Sequence, residues 1–129
     1  MRLNALALLA ELAGGVVVGL AAAWAGGRLG ALVGWGGQEF ADVIGAVLGI
    51  FLGYIVGVPV GMALAGRVLG QRGSFWLALA GSILGGVLVA LLAEPLRLNA
   101  STRVLSFSLF LAVPALALVG FNLRRGRRR

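Results

Sequence analysis

The sequence predicts an all-α integral membrane protein, a four-helix transmembrane bundle with small-xxx-small, or glycine-zipper, packing. Three observations lead there. The chain's 129 residues are 60% hydrophobic and only 12% charged, with a mean hydropathy of +1.05, whereas soluble domains are about a quarter charged. The apolar residues fall into runs long enough to cross a hydrocarbon core of about 30 Å. In the run from Ala41 to Gly66, Gly45, Gly49, Gly53, Gly57 and Gly61 recur at every fourth residue, which lays bare backbone along one ridge of a helix.

The chain is apolar from Leu3 to about Trp35, interrupted by Glu11 and Arg28. That is longer than one perpendicular crossing needs. The first span is therefore placed at about 4–26, with Gly26, Gly27 and Arg28 marking its exit and 29–36 as an extension or interfacial piece. Arg2 before an apolar run and the small residues Ala21 to Ala23 also fit a cleaved signal peptide, but the run exceeds the usual 7 to 15 residues or so and holds a carboxylate.

Gly36 to Asp42 is the first polar break and is expected to be a short loop. The second span, about 41–66, ends near Arg67, and Gly70-Gln71-Arg72-Gly73 makes a tight turn with Ser74 as N-cap of the third span. That span, about 74–93, stops at Glu94-Pro95, because proline biases the residue before it away from helix. Asn99 or Ser101 caps the fourth span, about 102–121. A basic tail follows at 122–129, so the whole chain is a single transmembrane domain.

Arginine placement orients the bundle. Arg2, Arg67, Arg72 and the tail residues Arg124, Arg125, Arg127, Arg128 and Arg129 fall on one side, and Arg28, Arg97 and Arg103 on the other with Glu39, Asp42 and Glu94. The positive-inside rule then puts both termini in the cytoplasm, as in a multi-pass protein of the inner membrane. Trp35 and Trp76 fall at span ends, where indole rings favour the interface. The tail is foremost a topology signal, and it also offers anionic lipid headgroups about 1 kcal/mol per arginine. Nucleic acid is not an expected partner.

The glycine ridge is the most specific feature. Each glycine inside a helix costs about 1 kcal/mol of propensity against alanine. Close approach of a second helix offsets that through dispersion and Cα–H···O contacts. Each step of four residues advances about 400°, so the ridge drifts by about 160° from Gly45 to Gly61. One partner helix is therefore not expected to cover it all. Weaker small-residue faces lie at Gly15, Gly19, Ala23 and Gly27 in the first span and at Ala78, Ser82, Gly86 and Ala90 in the third. Leu12-Ala13-Gly14-Gly15 resembles Leu79-Ala80-Gly81-Ser82, a match that chance supplies easily in so simple a composition.

Glu11 is the one carboxylate within a span, and it lies four residues before Gly15 on the small face. It should point at protein, with Arg67 or Arg72 as ion-pair partner from the same side of the membrane. Intramembrane ionisable residues commonly carry function, and structural ion pairs or snorkelling are the alternatives. A carboxylate early in the first of four short spans resembles the small multidrug resistance transporters, whose coupling glutamate sits in that place. That resemblance, carried by Glu11 and the span count, implies a proton-coupled transporter. Pro59 and Pro114 lie inside the second and fourth spans and free the carbonyls of Ile55 and Phe110, which Ser106 and Ser108 could rescue in the fourth.

Cysteine and histidine are both absent, which removes disulfides, thiolate metal sites and the usual general base. No phosphate-binding loop, metal cluster or cofactor motif is present, and no enzymatic activity is expected. The pattern points to a helix-packing or assembly element, either a homo-oligomer or an accessory subunit of a larger membrane complex. A small transporter or channel using Glu11, and a scaffold recruiting through the arginine tail, are the other readings.

Overall fold

Four helices make up the computed structural model: α1 (Ala5–Val33), α2 (Glu39–Val68), α3 (Phe75–Ala93) and α4 (Thr102–Leu123). The structure describes residues 5–33, 39–70, 73–93, 95 and 101–123. Each helix is long and apolar enough to cross a membrane. Arg2, Trp35, Arg72, Glu94, Arg97, Asn99 and the tail arginines lie outside the described residues.

The boundaries differ from the sequence reading at one end. α1 does not exit at Gly26 to Arg28 but runs on to Val33, because its glycines lie against another helix and are held there by packing. Glu39 to Asp42 are not loop but the first turn of α2, where the Asp42 carboxylate complements the helix dipole. Elsewhere local chemistry sets the ends. Gly70 takes a left-handed φ of 66° just past α2, Ser74 precedes α3 and its backbone carbonyl accepts from Ala78 N–H at 3.0 Å, and Ser101 precedes α4 and its backbone carbonyl accepts from Leu105 N–H at 3.1 Å.

α1 and α2 pack antiparallel, backbone against backbone. A Cβ on Gly49 would collide with the Gly26 carbonyl oxygen, one on Gly26 with the Gly49 oxygen, one on Gly53 with the Ala22 oxygen, one on Gly61 with the Gly14 oxygen and one on Gly30 with the Gly45 oxygen. The glycine Cα–H bonds therefore point at carbonyls across the seam, a weak attraction that only this closeness permits. Each step of four along α2 is answered by a step of four back along α1. The expectation that one partner could not cover the ridge is thereby corrected. α1 carries its own small residues at the same spacing, at Gly14, Ala22, Gly26 and Gly30, so both ridges drift together.

α3 and α4 repeat this arrangement on a shorter scale. A Cβ on Gly81 would meet the Leu116 oxygen, one on Gly120 the Leu77 oxygen and one on Gly85 the Ala112 oxygen. Gly14 thus faces Gly61 as Gly81 faces Leu116, and Pro59 and Pro114 each sit two residues before those partners. The faint match between residues 12–15 and 79–82 coincides with a common packing scheme.

The two hairpins meet through α2, which touches both α3 and α4, and through α1 against α4, while α1 and α3 do not meet among the described residues. Tyr54, Val58 and Met62 of α2 form the core with Ala23, Val113 and Ala117.

Candidate functional site

Hydrogen bonds across the seam between hairpins use the carbonyls that the prolines free. Pro59 has no N–H to give Ile55, and Ser82 of α3 donates its hydroxyl to the Ile55 oxygen at 2.7 Å. Pro114 likewise leaves Phe110 without its helical donor, and the Tyr54 hydroxyl of α2 donates to the Phe110 oxygen at 3.1 Å. The Tyr54 ring also stacks on Phe110, with centroids 5.8 Å apart and an interplanar angle of 17°. Each hairpin thus satisfies a carbonyl of the other. Ser106, offered by the sequence as a rescuer, is exposed, and Ser108 is half-buried; the Phe110 carbonyl is reached by Tyr54 instead.

Glu11 lies at the end of the seam nearest the start of α1. It belongs to a buried line formed by Ala7, Glu11, Gly15, Gly19, Ala23 and Gly27. Toward α2 a Cβ on Gly15 would meet Met62, and one on Gly19 would meet Val58 and Tyr54, while the Gly19 backbone also lies against Gly57. The same line carries Glu11 inward, where it is fully buried. The Asn122 amide of α4 donates to Glu11 Oε2 at 3.4 Å and to the Leu118 carbonyl at 2.9 Å. The position is about 9 Å from the start of α1 at 1.5 Å per residue.

Of the partners expected for Glu11, Arg67 is exposed at the end of α2, and Arg72 lies outside the described residues. Asn122 is the residue that sequence reasoning missed. A polar side chain one position from the end of an apolar helix looks like a boundary marker, and only the pairing of α1 with α4 shows that it faces Glu11. Gly45, Gly49, Gly53, Gly57 and Gly61 all lie against α1 and not against a second chain. At the other end of α1, Arg28 lies over the Trp24 ring, 5.3 Å from its centroid, and both side chains are exposed. Among the described residues no group of acidic side chains could hold a metal ion.

No protein-family model matches this chain, and neither the curated proteins nor the solved structures include a detectable match.

Proposed function

We propose that this chain is an inner-membrane protein with both termini cytoplasmic, in which glycine-zipper contacts make two rigid hairpins. Its role is that of an assembly element, as a homo-oligomer or as an accessory subunit of a larger membrane complex, with no enzymatic activity. The observation that carries this reading is the unequal length of the hairpins. At 1.5 Å per residue, α1 and α2 are about 43 and 45 Å long and α3 and α4 about 28 and 33 Å. None of residues 41–50 of α2 is buried, although Gly45 and Gly49 lie against α1 there. The long hairpin is thus locked internally and bare outside over this stretch, with Val43, Ile44, Val47 and Leu48 all exposed. It is an arm held stiff by α1, with no buried side chain among its described residues 41–50. Such an arm suits a neighbouring helix at the same depth.

The test uses single cysteines at Ile44 or Val47, since the chain has none of its own. Symmetric crosslinking in liposomes supports the homo-oligomer, and a stoichiometric subunit co-purifying in mild detergent and crosslinked at the same positions supports the accessory role. A protein that is monomeric in bilayers, with no crosslink at either position, refutes both.

The burial of Glu11 against Asn122 favours a second reading, a small proton-coupled transporter using Glu11. Proton-linked uptake into vesicles that vanishes in Glu11→Gln, while oligomerisation is unchanged, would put that reading first.

A further inference from the structure

A cavity of about 380 Å³ opens between α2, α3 and α4, lined among others by Phe51, Gly86, Ala90, Ala93, Ser106 and Leu109. Gly86 lies buried at its floor, and Ala90 and Ser106 are exposed at its mouth. The two hairpins differ at this place. Aligning Gly14 with Gly81 and Pro59 with Pro114 places Gly19 at Gly86 and Tyr54 at Leu109. In the first hairpin the Tyr54 ring covers Gly19, 3.0 Å from where a Cβ would stand. In the second hairpin leucine stands where tyrosine would; Ile55 and Phe51 of α2 reach Gly86 instead, 3.0 and 3.3 Å from where a Cβ would stand, and the cleft lies beside them.

Depth and chemistry identify the occupant. α3 is about 28 Å long at 1.5 Å per residue, close to the hydrocarbon thickness of about 30 Å, so Ala93 at its end stands at a membrane boundary. Gly86 is seven residues earlier, about 10 Å deeper. The cleft therefore runs from one interface most of the way to the midplane, within a single leaflet. Among the described residues its lining is apolar but for Ser106, which suits an apolar occupant. We propose that it seats one acyl chain of a bilayer lipid, drawn from the leaflet opposite the chain termini and entering between Ala90 and Ser106. This rests on the membrane reading above. An apolar chain supplies dispersion contacts to the apolar walls of the cleft.

The experiment reconstitutes the full chain in phosphatidylcholine bilayers containing a small fraction of phosphatidylcholine with a diazirine midway along one acyl chain. After irradiation, adducts are mapped by mass spectrometry. Leu91, 68% exposed, and Leu84, 55% exposed on the same helix, report ordinary lipid contact. A seat predicts about tenfold more adduct at Ala90, Ser106 and Leu109 than at those controls, equivalent to a preference of about 1.4 kcal/mol. Adduct in the cleft should saturate as the probe fraction rises, while adduct at Leu84 keeps growing. Ala90→Phe, or Ser106→Leu should that variant fail to fold, should remove the excess and leave Leu84 labelled. Label at Leu84 and Leu91 with no excess in the cleft overturns the seat and leaves membrane insertion standing. A crosslink from the cleft to a second chain likewise overturns it. Absence of label at every position overturns both.

Discussion

Replacing Ser82 with alanine tests whether the seam between hairpins is built on the carbonyls that proline releases. The Ser82 hydroxyl is fully buried and lies 2.7 Å from the Ile55 oxygen. Without it that carbonyl loses its donor in an apolar interior, which costs about 1–3 kcal/mol in proteins generally. Polar contacts between membrane helices average about 0.6 kcal/mol and reach about 1.7. A short bond to a carbonyl with no helical donor belongs at the upper end of that range, so about 1–2 kcal/mol is expected. The decisive comparison is with Pro59→Ala, which returns an N–H to position 59 and lets the helix close its own bond to Ile55. In that background Ser82→Ala should cost less than about 0.5 kcal/mol, giving a coupling that a double-mutant cycle reads directly. The cycle also cancels whatever Pro59→Ala does by itself, which matters because Pro59 is fully buried. Reversible unfolding of the four proteins in mixed micelles, followed by circular dichroism, supplies the numbers. Equal costs of Ser82→Ala with and without Pro59 would refute the account of the seam.

Gly49→Ala should destabilise the protein by about 1–3 kcal/mol, the usual cost of overpacking, since its new methyl would meet the Gly26 carbonyl. Leu52→Ala, on a residue 60% exposed, should stay within about 0.5 kcal/mol in the same unfolding assay. Single cysteines at Gln71 and the C-terminus should react with an impermeant maleimide only from the cytoplasm and those at Gln38 and Asn99 only from outside, so that labelling of Gln38 and Gln71 from one side removes the topology. Glu11→Gln should change stability less than Asn122→Ala, because an amide at position 11 still accepts from Asn122. The reverse order in thermal unfolding would mean that the Glu11 charge itself holds the seam.

The number of long apolar helices, the glycine just past α2 and the inward direction of Glu11 were legible in the sequence because each is a local matter. Hydropathy, a glycine past a helix end and a residue four positions from Gly15 need no knowledge of neighbours. The partner of each ridge was not legible. Drift of a four-residue ridge argues against a single partner only if that partner is straight and featureless, and α1 is neither, since Gly14, Ala22, Gly26 and Gly30 drift at the same rate. The sequence reading placed the small face of α1 at Gly15, Gly19, Ala23 and Gly27, one residue round the helix. Those positions are buried too, against Met62, Val58, Tyr54 and Ile50 side chains. A composition so rich in small residues offers adjacent ridges, and only contact distinguishes the one that meets backbone from the one that meets side chains. Asn122 and the pairing of Ser82 with Ile55 are long-range facts of the same kind. The freed carbonyls were visible in the sequence, but their donors, 27 residues from Ile55 and 56 from Phe110, were not.

The two kinds of contact in this fold differ in what they tolerate. Within the first hairpin the ridge brings backbone against backbone, and a single methyl at Gly26, Gly49 or Gly53 has nowhere to go but into a carbonyl. Between hairpins, Tyr54 and Ser82 donate to carbonyls and Asn122 to the Glu11 carboxylate, groups that turn about their own bonds and can re-form a hydrogen bond after a small shift. Interiors this closely packed transmit displacement as rigid pieces. The hairpins are then the units that stay intact, and the seam is where one can move against the other. Glu11 and the apolar cleft both open on that seam or beside it, and none of the α2 ridge glycines does. The ridge that dominates the sequence holds α1 to α2, and the hydrogen bonds that join the two hairpins come from other residues, Tyr54, Ser82 and Asn122.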